Sequence, residues 1–157
     1  MARSLSHRRR VRRNCPGGPQ RALRTGRPGL NLLDTSVAVD HLRGYRPATA
    51  LLEDLLRSDD VLVASEVTRF ELLAGVRPDE QAALEDFFLV VDWVPVTEDV
   101  VRSAGAYART YRRSHSGIAA ADYLIAGSVA VLGAGLLTGN VGHFPMFEDL
   151  HAPYSYG

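Results

Sequence analysis

The stretch NLLDTSVAVD, residues 31–40, decides how this chain is read. A short apolar run, read as a buried strand from Leu30 to Leu33, ends on Asp34. Thr35 and Ser36, both good helix caps, then lead into a helix reaching about His41. A carboxylate at the end of a buried strand is costly unless something compensates it. The rest of the chain has to supply that compensation.

Working outward, the same alternation repeats. Arg46-Pro47 opens a helix over ATALLEDLLRS, and VLVA, 61–64, reads as a second buried strand with the unbroken apolar character of a parallel sheet. Ser65 caps SEVTRFELLAGV, where Val67, Phe70, Leu73 and Ala74 fall at helical spacing. Pro78 starts a helix over DEQAALEDFFLV, and VDWVPV, 91–96, is a third strand. Thr97 caps EDVVRSAGAYARTYRRS, IAAADYLIAGSVAVLG is a long apolar helix, and GLLT, 135–138, is a fourth strand before the loop GNVGHFP. Strands separated by helices predict an α/β fold with a mostly parallel sheet flanked by helices. In such sheets the carboxyl ends of the strands form the ligand crevice, and Asp34 and Thr138 both stand there.

The 157 residues suit one folded domain with a sizeable core. The overall charge of zero hides a division. All eighteen basic residues are Arg; nine lie in residues 1–28, which hold no acid, and the other nine face eighteen acids in residues 29–157, a net charge of −9. The Arg-, Pro- and Gly-rich head, residues 1–28, has no apolar period and is expected to be disordered. It reads either as an electrostatic nucleic-acid binder or as an upstream extension of a chain that truly begins near Leu30. The head lacks the apolar centre of a secretory signal, so export is not expected. Cys15 is the single cysteine, which excludes an intrachain disulfide and a Cys-based zinc site and fits a reducing cytoplasm. The most apolar run, Tyr123 to Leu137, is too short and too rich in Gly to span a membrane.

Four polar side chains stand at otherwise apolar places: Asp34, Glu71 between Phe70 and Leu72, Asp122 near the start of an apolar helix, and Asn140 after the last strand. Three acids directed at one crevice would repel one another without a cation, and hard oxygen ligands suit Mg²⁺ or Mn²⁺. Each acid also has a plainer reading. Asp34 serves equally as a helix cap, Glu71 as a surface acid, and Asp122 as a partner of its helix dipole. His143 has no second His at ligand spacing and reads as a loop or packing residue; Trp93, Phe87 and Phe88 read as core or interface aromatics. LLDTS also looks like the start of an aspartate-nucleophile phosphatase, but that chemistry wants an acid where Ser36 stands, and the chain has no Lys.

Taken together, LLDTSV, SEVTRFELLAGV, AAADYLIAGSV and LLTGNVGHF resemble, in order and separation, the motif series of PIN-domain ribonucleases. More narrowly they resemble VapC-type toxins of bacterial toxin–antitoxin pairs, over Leu30 to Tyr154. The resemblance implies a Mg²⁺- or Mn²⁺-dependent endoribonuclease that hydrolyses RNA and is neutralised by a VapB-type antitoxin. It carries the family acids onto Asp34, Glu71 and Asp122, and the T-x-[DN] position onto Asn140, here neutral, beside Thr138. Asp34 and Asp122 are then expected as direct metal ligands, with Glu71 as a ligand or as the base acting on water. The Ser36 and Thr138 hydroxyls would orient the ligands, and Asn140 would assist catalysis. Arg112 and Arg113, with His115, read as contacts to the RNA backbone or as a solvated helix end. Apolar positions Leu52, Leu55, Leu56, Phe87 and Phe88 are shared among core, homodimer contact and antitoxin groove. The competing function is a non-catalytic RNA-binding or regulatory module acting through the Arg-rich head.

Overall fold

The computed structural model describes residues 29–157; the head and Cys15 lie outside the described residues. Four parallel strands form one sheet: β1 (Leu30–Leu33), β2 (Val61–Ser65), β3 (Asp92–Val94) and β4 (Gly135–Leu137), in the spatial order β3-β2-β1-β4. Between them run α1 (Thr35–Leu42), α2 (Arg46–Arg57), α3 (Glu66–Gly75), α4 (Gln81–Val90), α5 (Glu98–Tyr111) and α6 (Ala120–Leu132). The α/β fold with helices on both faces of a parallel sheet is therefore present as read. No helix among the described residues is long and apolar enough to cross a membrane.

The unbroken apolar strands follow from burial on both faces. Successive side chains of a strand point to opposite sides, so β1 sends Leu33 into one core and Leu32 into the other. The first core adds Leu62 and Ala64 of β2 and Leu137 of β4, and packs against Val37, Leu52, Leu72, Leu84 and Phe87 from α1 to α4. The second takes Val63 and Leu136 and packs against Ile125, Ala126 and Val129 of α6, with Phe144 and Leu150 beyond the last strand. In register, Leu33 pairs with Ala64 on one side and Leu137 on the other. Asn31, fully buried in the same strand, has no hydrogen-bond partner for its side-chain amide among the described residues.

Several element boundaries shift from the sequence reading. The cap of α1 is Asp34 rather than Thr35 or Ser36, because its carboxylate accepts the Ser36 N–H at 3.4 Å. The helix expected from Pro78 begins at Gln81, after a turn closed by Glu80 N–H donating to the Arg77 carbonyl. The strand expected over 91–96 stops at Val94, before Pro95, which has no N–H to offer a ladder. Ser65 and Thr97 cap α3 and α5 as expected. The buried face of α3 is the larger correction. Thr68 and Leu72 are the buried residues, while Phe70 is 70% exposed and Leu73 also faces out. Leu52, Leu55 and Phe87 belong to the core, Phe88 packs on its edge, and Leu56 is exposed.

Candidate active site

Asp34 is 3% exposed and stands where β1 passes into α1. The sheet holds its backbone, since its N–H donates to the Leu137 carbonyl of β4 at 2.9 Å. Its side chain is held by hydroxyls. Ser36 Oγ donates to Asp34 Oδ2 at 2.6 Å and Thr138 Oγ1 donates to the same oxygen at 2.7 Å. Among the described residues every hydrogen bond accepted by this carboxylate falls on Oδ2, and it has no basic partner.

The loop after β4 completes the network. The Gly139 N–H donates to Ser36 Oγ at 3.0 Å, and the Asn140 N–H donates to Thr138 Oγ1 at 2.9 Å. Asn140 thus joins through its backbone, while the residue itself is exposed. Glu71 arrives from α3 and accepts a hydrogen bond at Oε2 from the Thr35 hydroxyl, next in chain to Asp34. Thr68, one turn earlier on α3, places its own hydroxyl 3.4 Å from that of Thr35. The face that α3 turns inward is therefore chosen by Thr68, Glu71 and Leu72, and this leaves Phe70 outside. Glu71 also lines a pocket of about 80 Å³ between α1, α3 and α4, with Val39, Leu42, Leu72 and Leu84 as its apolar wall.

Asp122 sits in the first turn of α6. Its Oδ2 accepts the Ala119 N–H at 2.9 Å, which fits the plainer reading of it as a partner of the helix dipole. The same oxygen lies 3.1 Å from Nδ1 of His143, in the short turn Val141–His143. His143, read as a loop or packing residue, thus contacts a candidate carboxylate. Its signal in the sequence was only its place in the loop carrying Thr138 and Asn140. That one loop contacts two of the candidate carboxylates, reaching Asp34 through Thr138 and Asp122 through His143.

Asp34, Ser36, Thr138, Gly139 and the Asn140 backbone share one hydrogen-bond network, and Glu71 adjoins it through Thr35. Among the described residues no three His, Cys, Asp or Glu side chains gather closely enough to enclose a metal ion. Arg112 and Arg113 are exposed at the end of α5, and no contact joins them to the carboxylates. Trp93 and Phe88 belong to the edge of the first core as expected, with the Arg69 guanidinium 4.3 Å and 5.0 Å from their ring centres.

Comparison with known proteins gives the same picture from outside the molecule. The PIN domain family model matches residues 32–144, a span that contains Asp34, Glu71, Asp122 and Asn140. The chain is 56% identical over 125 residues to ribonuclease VapC19 of Mycobacterium tuberculosis, which covers 80% of this chain and 100% of that protein. Among solved structures, it resembles VapBC2 of Rickettsia felis bound to a DNA fragment from its promoter, with a TM-score of 0.65 at 21% identity over 77% of this chain and 95% of that one. It also resembles VapBC-1 of nontypeable Haemophilus influenzae, with a TM-score of 0.64 at 26% identity over 78% of this chain and 96% of that one.

Proposed function

The chain belongs to the PIN-domain family, among the VapC ribonucleases, and from that premise we propose that it is the toxin of a toxin–antitoxin pair. It is an endoribonuclease that hydrolyses RNA phosphodiester bonds with Mg²⁺ or Mn²⁺ and is neutralised by a VapB-type antitoxin. One observation carries the reading. Asp34 is buried at the carboxyl end of a parallel sheet and held in place by neutral hydroxyls instead of a counter-charge. A plain structural carboxylate at such a depth would be matched by a basic group.

The donor chemistry fits a hard divalent cation. The side chains proposed to hold it, Asp34, Glu71 and Asp122, offer only oxygen, and Asp34 has Oδ1 to spare. A cation bound there supplies Lewis acidity toward the phosphoryl oxygens and a water of lowered pKa. The chain's own residues do the positioning. Ser36 and Thr138 fix the Asp34 carboxylate, Thr35 fixes Glu71, and His143 with the Ala119 N–H fixes Asp122. Glu71, only partly buried, would accept a proton from water, and Asn140, neutral and exposed, would contact substrate beside the site. Arg112 and Arg113 serve the RNA backbone at a distance from the reacting phosphate. Exposed apolar side chains of α3 and α4, including Phe70, Leu73 and Leu89, offer surface for the antitoxin or for a second copy of the chain.

Incubating the full chain with total RNA, with Mg²⁺ or Mn²⁺ and then with excess EDTA, tests the reading. Discrete cleavage that needs metal and is lost in Asp122→Asn supports it. Cleavage that survives both EDTA and the substitution sinks it.

A further inference from the structure

The C-terminal segment, residues 151–157, returns across α1 and brings three tyrosines together. Tyr154 and Tyr156 both donate to Oδ2 of Asp40, at 2.8 and 2.6 Å, and the Tyr45 hydroxyl donates to the Ser155 carbonyl at 3.0 Å. The Tyr156 ring stacks on Tyr45 at 5.5 Å between centres and 22° between planes, with Tyr154 edge-on at 5.8 Å and 79°. Tyr156 is nevertheless 57% exposed, with Tyr45 stacked on it and Tyr154 packed edge-on. Its hydroxyl end approaches the site. A Cβ placed on Gly139 would lie 2.6 Å from Tyr156 Oη and 3.6 Å from Ser36 Oγ. Gly139 in turn donates to Ser36, and Ser36 to Asp34. A hydrogen-bonded, more than half exposed aromatic side chain therefore stands beside the backbone that orients the Asp34 carboxylate.

We propose that Tyr156 is a substrate-positioning residue whose exposed ring stacks on a nucleobase of the RNA strand next to the scissile phosphate. This rests on the ribonuclease reading. Every base has a π-face, and stacking on tyrosine tolerates sequence. A ring already held by Asp40 and Tyr45 loses little further freedom on binding. Stacking also suits this chain's electrostatics. The described body carries −9, and Asp40 lies under the rings, so this surface attracts bases better than phosphates.

The test uses the full chain and a short single-stranded RNA spanning a cleavage position mapped on total RNA. Tyr156→Leu is expected to raise KM roughly fivefold to a hundredfold with kcat unchanged, while Tyr156→Phe and Tyr156→Trp keep KM near that of the unaltered protein. An abasic nucleotide beside the scissile phosphate is expected to reproduce the Leu effect in the unaltered protein and to add nothing in Tyr156→Leu. An unchanged KM in Tyr156→Leu, with cleavage intact, overturns the stacking role and leaves the nuclease reading standing. A lower melting temperature with KM and kcat disturbed alike in all three variants overturns it in favour of a tail anchor. Loss of VapB-type antitoxin binding at unchanged KM overturns it in favour of a partner surface. No cleavage of any RNA by the unaltered chain with either metal ends the nuclease reading and this proposal together.

Discussion

The central side chain of the proposed site, Asp34, does two jobs with one carboxylate. It caps α1 through the Ser36 N–H and accepts the hydroxyls of Ser36 and Thr138, all on Oδ2. Cap and ligand are rival readings in the sequence; the cap reading is met on Oδ2, and the proposed ligand role would fall to Oδ1, which accepts no hydrogen bond among the described residues. Asp34→Asn should abolish cleavage while leaving the fold in place, which activity and circular dichroism together would check. Ser36→Ala removes the shorter of the two hydroxyl bonds and should weaken metal binding by about 10–100-fold, measured by calorimetric titration with Mn²⁺. Asn31 makes the opposite kind of prediction. Its buried, unpartnered amide costs about 1–3 kcal/mol. Asn31→Val, an apolar strand former closer to Asn in volume than Leu is, should therefore raise the midpoint of urea unfolding, and a lower midpoint would show that the amide has a role that the described contacts do not include. His143 was not legible as a site residue, since a single His in a loop carries no periodicity; only the folding of that loop onto α6 sets it against Asp122.

Elements place these residues, and their faces were harder to read than their existence. The run SEVTRFELLAGV announces a helix, but its apolar residues occupy more than one side, so periodicity alone favoured Phe70 and Leu73 over Thr68. The decision falls to a hydroxyl and a carboxylate, Thr68 and Glu71, that must meet Thr35 of α1. The pairing of α5 with α6 rests on Gly127, where an added Cβ would lie 2.5 Å from the Val100 carbonyl oxygen and 3.0 Å from the Ala104 nitrogen. Backbone cannot yield there as a flexible side chain can. Gly127→Ala should cost about 1–3 kcal/mol in denaturant unfolding of the full chain. His41 joins α1 to its neighbours, with Nδ1 3.2 Å from the Thr49 hydroxyl and its ring 5.7 Å from that of Phe87. Burial pushes its imidazole below the ordinary 6.5, opposed by the Glu53 carboxylate. The unfolded chain then takes up a proton that the folded one resists, so stability should fall as pH drops through 6.5 toward the lower folded value. Melting curves from pH 7.5 to 5.5 should show this slope, and His41→Gln should flatten it.

At the scale of the whole molecule, charge and chemistry are divided between a basic head and an acidic body. A body of −9 has to hold RNA by local means, so removing residues 1–28 should leave kcat intact, raise KM, and reduce the slope of log affinity against log salt. Loss of RNA affinity on that removal, with no cleavage by the full chain, would instead favour the head-driven, non-catalytic binding module. The sequence by itself determined the architecture, because doubly buried strands and helices with one or two apolar faces have few ways to cover one another. It determined the order of Asp34, Glu71, Asp122 and Asn140, and that the first and last strands end beside each other's polar residues, since parallel strands present their carboxyl ends together. Tertiary structure alone decided the rest. It chose which oxygen of Asp34 is occupied, turned α3 by its polar contacts, brought His143 to Asp122, and brought the Tyr156 hydroxyl to Gly139. Those contacts join residues far apart in the chain through single hydrogen bonds. Apolar pattern records that an element is half buried, and where its apolar residues occupy more than one side it carries no information about which distant polar atom turns it.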